Sequence, residues 1–151
     1  FPTRRSSELY AKLLAFKSTM DLHTNIFGQM VLAQYLLDND LDDQIEKIKE
    51  MYREKAEKMM ACMAEDFPAD VKYTKPEGGM FIWATMPEGL KAVDVMTAAA
   101  QKGVAVCPGD PFYEEDRDVR TMRINYSNSS DEAIEKGIKI LGDTIKELLA
   151  K

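Results

Sequence analysis

An arginine in the middle of an alternating stretch is the residue of this chain with the most chemistry to offer. Thr121 to Ser127 reads T-M-R-I-N-Y-S, and a strand sends successive side chains to opposite faces. Met122, Ile124 and Tyr126 therefore share one face, and Arg123 and Asn125 the other. A guanidinium drawn out of water must be paired, and its planar fork suits a carboxylate, which it grips by two parallel hydrogen bonds. The competing reading is an internal ion pair with one of the 26 acidic residues, or a solvated outer face. On residue pattern alone that competing reading is the stronger, because most arginines are structural or exposed.

Other chemistry has little to build on. His23 is the only histidine, so a histidine-based metal site or a Ser-His-Asp triad lacks its parts, and no metal site is expected. A lone histidine between two helices reads as a hydrogen-bonded structural residue, as does Gln29. Cys62 and Cys107 lie in no C-x-x-C and are too few for a disulfide framework; both read as reduced packing residues. Gly78-Gly79 reads as a turn, since no G-x-G-x-x-G or P-loop pattern is present. A balance of 20 basic against 26 acidic residues, net −6, with no basic block, argues against nucleic-acid binding. No apolar run approaches the roughly 20 residues that span a bilayer, and no signal layout opens the chain, so no membrane partner and a cytoplasmic location are expected.

These residues need elements to position them. Residues 1–8, F-P-T-R-R-S-S-E, have no apolar period and are set aside as a non-native scar. Apolar spacing predicts helices over Leu9–Phe16 and Ile26–Leu37. Beyond the cap residues Asp38-Asn39-Asp40, Leu41, Ile45, Ile48, Tyr52, Met59 and Met63 predict one long amphipathic helix ending at Pro68, with Met51, Met59, Met60 and Met63 as core filler. Strands are expected at Val71–Thr74, Phe81–Met86 and Val104–Cys107, besides the one carrying Arg123. The second of these is apolar on both faces, so it should be covered on both, with Trp83 in the core. A helix is expected over Ala92–Lys102, stopped by Gly103. Asp110 to Val119 reads as a charged loop rooted at Phe112 and Tyr113, with Arg117 and Arg120 at the surface. Ser129-x-x-Glu132 reads as a capping box before a closing helix whose stripe is Ile134, Ile138, Leu141, Ile145 and Leu148. The fold class is α+β: a small mixed or antiparallel sheet of three to four strands covered by long helices.

Several ordered motifs together are more specific than any one. Lys17-Ser18-Thr19-Met20-Asp21-Leu22-His23-Thr24-Asn25, Gln29, Pro76-Glu77-Gly78-Gly79-Met80-Phe81-Ile82-Trp83, Val106-Cys107-Pro108-Gly109-Asp110-Pro111-Phe112-Tyr113 and Met122-Arg123-Ile124-Asn125-Tyr126-Ser127 resemble the C-terminal part of a class I/II pyridoxal-phosphate-dependent aminotransferase, nearest the 2-aminoadipate and kynurenine type. The resemblance runs from about residue 9 to the end. It implies that 9–40 close the large domain and that 41–151 form the C-terminal small domain. It also implies that Arg123 holds the substrate α-carboxylate, with Gly79 and Phe81 as weaker contacts at the substrate mouth.

The resemblance implies amino acid and 2-oxo acid substrates, pyridoxal 5'-phosphate as cofactor, and a homodimer for the full-length protein. It also shows a departure. The lysine that carries the cofactor as a Schiff base sits in an S-x-S-K-x-x-x-P-G-x-R kind of motif, and no such run occurs here. The chain is therefore expected to be a fragment with no catalytic residue and no cofactor-binding residue of its own, inactive alone. The alternative is the effector-sensing, aminotransferase-like domain of a transcription regulator, which a DNA-binding segment upstream in the full-length gene would reveal.

Overall fold

The computed structural model describes residues 4–114 and 119–150, in two compact units, Phe1–Ile45 and Glu46–Lys151. In the first unit, α1 spans Arg4–Met20 and α2 Ile26–Asp38. α1 thus starts inside the stretch set aside as a scar and outruns the expected Leu9–Phe16, because arginine and glutamate are good helix formers even without an apolar period. Asn25 caps α2, its Oδ1 accepting from the Gly28 N–H at 2.8 Å. His23 is structural in its contacts, with Nδ1 3.0 Å from the Thr24 carbonyl, which also accepts from Gln29 Nε2 at 3.0 Å.

α3 spans Leu41–Asp66, ending just before Pro68 as the proline requires. Only part of its predicted stripe is covered. Ala56, Met59 and Met63 are buried and Tyr52 packs against them, whereas Leu41, Ile45, Ile48 and Met51 are exposed. Met51 is therefore not the core filler that the adaptability of methionine suggested.

The second unit is built on a four-stranded sheet of β1 (Lys72–Tyr73), β2 (Phe81–Thr85), β3 (Cys107–Pro108) and β4 (Thr121–Asn125), in the order β1-β2-β4-β3 with every pair antiparallel. The expected strand over Val104–Cys107 forms its ladder only at Cys107 and Pro108, while Val104 and Val106 pack against the core. α4 spans Ala92–Gln101 and is followed by Gly103 at φ 85°, the left-handed conformation that lets a chain leave a helix. α5 spans Asp131–Leu149.

The pleat divides the sheet into two unlike faces. Ile82, Ala84 and Met86 join Met122, Ile124 and Tyr126 in a core closed by Met59 and Met63 of α3, Val95 and Ala99 of α4, and Ile134, Ile138, Leu141 and Ile145 of α5. Burying each of the valine, leucine, isoleucine and methionine side chains among these contributes about 1.5–3 kcal/mol. All three helices are thus spent on one face. The opposite face carries Phe81, Trp83, Thr85, Thr121 and Arg123, none of them buried. The expectation of a strand covered on both sides, with Trp83 in the core, is corrected here: a continuous apolar run does not say which faces have partners.

The capping expectation is corrected by one residue. Ser130, not Ser129, is the N-cap of α5, its Oγ accepting from the Ala133 N–H at 3.3 Å. Glu132 lies in the first turn instead, where its own backbone N–H and then the Ser130 hydroxyl hold its carboxyl below the ordinary carboxylate range. Arg120 is half-buried rather than at the surface, its Nη1 3.4 Å from the Met86 carbonyl. Arg117 lies outside the described residues. Among the described residues, no helix is long and apolar enough to cross a membrane.

Candidate functional site

β4 sits between β2 and β3, so whatever it presents on the open face is flanked on both sides. Arg123 is opposite Trp83 of β2 and Cys107 of β3, which puts all three side chains on that face. The guanidinium carbon of Arg123 lies over the Phe81 ring, 4.1 Å from its centroid, and 5.1 Å from the centroid of Phe112. Both distances are within cation–π range. Among the described residues no carboxylate pairs with Arg123. A guanidinium that stacks flat on a ring keeps its in-plane N–H donors for another partner, and that plane is where a planar carboxylate is gripped.

Phe112 reaches this position through a tight structural device. Gly109 donates its N–H to the Thr121 carbonyl at 2.7 Å, and a 3₁₀ turn over Asp110–Phe112 follows at once. A Cβ at position 109 would lie 2.2 Å from Thr121 Oγ1 and 2.8 Å from the Thr121 carbonyl oxygen. Only glycine permits that approach. Trp83 meets Phe112 edge-on with ring centroids 5.6 Å apart, and the Tyr113 hydroxyl is 3.2 Å from Thr121 Oγ1.

Gly79 has a different role in the geometry. It adopts φ 83°, a conformation that favours glycine, and its carbonyl accepts from the Tyr126 hydroxyl at 2.8 Å. Burial, followed by the nearby Tyr52, pushes the Tyr126 phenol above its ordinary value, so the hydroxyl stays a donor. Tyr52 meets the Tyr126 ring edge-on at 6.3 Å. A groove of about 470 Å³ runs along Tyr52, Arg53, Gly78, Gly79 and Tyr126, and Arg123 is not among its walls. Of the three residues singled out in the sequence, the structure brings Arg123 and Phe81 together and sets Gly79 apart, in the groove beside Tyr126. It adds Phe112 and Trp83. Neither was legible as a neighbour of Arg123: Trp83 had been assigned to the core, and its register opposite Arg123 is known only from the sheet, while Phe112 had only its place at the root of a loop.

The donor set around Arg123 suits a carboxylate and does not suit pyridoxal phosphate. A guanidinium, aromatic faces, a thiol and two hydroxyls are present, whereas a Schiff base needs an amine and a phosphate several converging donors. The described residues also include no group of three side chains able to hold a metal ion.

With this geometry in hand, the relatives are informative. The family model described as Aminotransferase class I and II matches residues 6–141. The aromatic-amino-acid aminotransferase 1 of Thermococcus litoralis is 44% identical over 93% of this chain and 34% of its own length. LysN, an α-aminoadipate aminotransferase of Thermus thermophilus solved with N-(5'-phosphopyridoxyl)-L-leucine, superposes with a TM-score of 0.87 at 36% identity, over 95% of this chain and 36% of that one. The kynurenine aminotransferase of Pyrococcus horikoshii gives a TM-score of 0.88 at 39% identity, again over 95% and 36%. More remotely, the HTH-type transcriptional regulator YdcR of Escherichia coli is 27% identical over 85% of this chain and 27% of its own length. The chain spans about a third of the length of the curated aminotransferases it matches. With a matching family model along most of its length and the α+β fold of those solved enzymes, this chain belongs to the class I and II aminotransferases.

Proposed function

We propose that this chain supplies the carboxylate anchor of a pyridoxal-phosphate-dependent aminotransferase, with Arg123 gripping the α-carboxylate of the amino acid and of the 2-oxo acid. The observation that carries the reading is the state of the guanidinium: mid-strand, on the open face, against Phe81 at 4.1 Å, and without a carboxylate partner among the described residues. An internal ion pair, the bland reading of the sequence, has no support in that arrangement. The anchor fixes the substrate by two parallel hydrogen bonds, so orientation is determined at the carboxyl end before any bond is broken. Phe81 forms one wall of the mouth, and Gly79 sets the entry of the chain into β2 from the loop before it.

The reactive amine belongs to the stretch of the family that this chain does not match. Alone, the chain binds carboxylates weakly and does not transaminate; the full-length enzyme works as a homodimer. The regulator reading is less well supported, since the aminotransferases are more similar, at 44% and 36% identity, than the regulator at 27%.

The test is a titration of the ¹⁵N-labelled chain with pyruvate, with lactamide as the uncharged control, followed at the backbone amides of β4, which report in every variant, and at the Arg123 Nε–Hε resonance where arginine is present. Saturable shifts with pyruvate alone are expected, with affinity reduced at least about tenfold in Arg123→Gln, as loss of a charged hydrogen-bonding pair implies. Equal affinity in the variant would overturn the reading. A stoichiometric adduct on one lysine after pyridoxal phosphate and borohydride would contradict the assignment of the reactive amine elsewhere.

A further inference from the structure

Resting on the reading of Arg123 as the anchor, we propose that Phe112 is a positioning residue for its guanidinium. The turn that carries Phe112 is a device for placing an aromatic ring at the anchor. Three observations converge on it. The Phe112 centroid is 5.1 Å from the guanidinium carbon, although the residue is itself 51% exposed. An exposed phenylalanine at the tip of a 3₁₀ turn gains little from burial, so its contact with Arg123 is the interaction its position serves. The turn is fastened directly to the anchor strand. Gly109 and Thr121 share a 2.7 Å backbone hydrogen bond, and no Cβ fits between them, so Phe112 is tied to a residue two positions before Arg123. The third is Trp83, the cross-strand neighbour of Arg123, whose ring meets Phe112 edge-on at 5.6 Å and limits where that ring can go.

The physical consequence is preorganisation. A free arginine side chain samples many rotamers, and a ligand that holds it still loses part of its binding energy to that ordering. Phe81 alone gives the guanidinium one ring to lie on. Phe112, arriving from a different part of the chain, adds a second ring and so narrows the set of orientations open to the guanidinium. Phe112 touches no reacting atom in this account; it acts through Arg123.

The experiment uses the same ¹⁵N-labelled chain and pyruvate, in the wild type, Phe112→Leu, Phe112→Tyr and Arg123→Gln. Leucine keeps the turn's apolar contact and removes the ring; tyrosine restores the ring. In Phe112→Leu, pyruvate affinity is expected to fall about two- to fivefold, the fold-change of an exposed cation–π contact. The Arg123 side-chain proton shifts should move toward the values of a solvated arginine as ring current is lost, and Phe112→Tyr should bring both back. Unchanged affinity in Phe112→Leu would overturn the inference. So would a loss of affinity with the Arg123 resonances unmoved, because the effect would then lie elsewhere. If Arg123→Gln loses pyruvate while Phe112→Leu does not, the anchor stands and only this inference fails. If Arg123→Gln binds as the wild type does, the anchor itself fails and this inference with it.

Discussion

Replacing Gly109 by alanine tests how the open face is assembled. Its φ of −75° and ψ of −15° are ordinary for any residue, so no backbone strain enters and the outcome depends on space alone. The new Cβ would be 2.2 Å from Thr121 Oγ1, 2.8 Å from the Thr121 carbonyl oxygen and 3.0 Å from Val119 Cγ1. The hydroxyl can rotate away, at the expense of its 3.2 Å contact with Tyr113, a loss of about 1 kcal/mol. The carbonyl cannot rotate without disturbing the β4 ladder, so the 2.7 Å Gly109–Thr121 hydrogen bond must lengthen, costing about another 0.5–1.5 kcal/mol. A total of about 1–3 kcal/mol is expected, in the range of overpacking substitutions. Urea denaturation followed by far-UV circular dichroism measures it as a lower midpoint at constant slope. Gly78→Ala is the control, because a Cβ there meets nothing within 4 Å. A Gly109→Ala midpoint equal to that of the wild type would refute the claim that close approach at Thr121 fixes the Phe112 turn.

Two further predictions concern the support behind the site. Tyr126→Phe removes the donor to the Gly79 carbonyl and should lower stability by about 0.5–1.5 kcal/mol. Because burial raises the Tyr126 phenol above its ordinary 10.0, its contribution is complete below that pH and is lost as pH rises through the folded value. Denaturation midpoints should therefore fall above about pH 10 in the wild type and fall less in Tyr126→Phe; parallel pH profiles would count against the hydroxyl's role. Within α5, Gly142→Ala would put a Cβ 2.5 Å from the Asp66 carbonyl oxygen of α3, whereas at Gly137 nothing lies within 4 Å. Alanine is favoured over glycine by about 0.8–1 kcal/mol in a helix interior, so Gly137→Ala should raise the thermal midpoint. At Gly142 a backbone clash outweighs that gain and the midpoint should drop. A rise in both would mean that α5 does not pack closely on the end of α3.

Much of the fold was legible because its signals are local. The period-2 alternation of Thr121 to Ser127 separated Arg123 from the core, and the helical spacing of Ile134, Ile138, Leu141 and Ile145 matched their burial. Where local patterns were ambiguous, the reading failed in predictable ways. Ser129 and Ser130 both precede α5, and the pattern with glutamate three residues on favoured the one that does not cap. An apolar β2 could not reveal that all three helices of its unit pack on one side, so Trp83 was assigned to the core when it belongs to the open face. Ile45, Ile48 and Met51 kept the helical period yet are exposed, since periodicity defines a stripe without supplying its cover. Phe112 had no sequence signal as a neighbour of Arg123. Its approach depends on the missing side chain of Gly109 and on a strand twelve residues further on, and such juxtapositions are not periodic.

The measurement that tests the central claim most directly is a crystal structure of this chain with pyruvate. The account predicts the carboxylate coplanar with the Arg123 guanidinium, held by two N–H···O bonds of about 2.7–2.9 Å, with Phe81 and Phe112 against the guanidinium as they are without ligand. Pyruvate bound along Tyr52, Gly79 and Tyr126 with Arg123 untouched would contradict it.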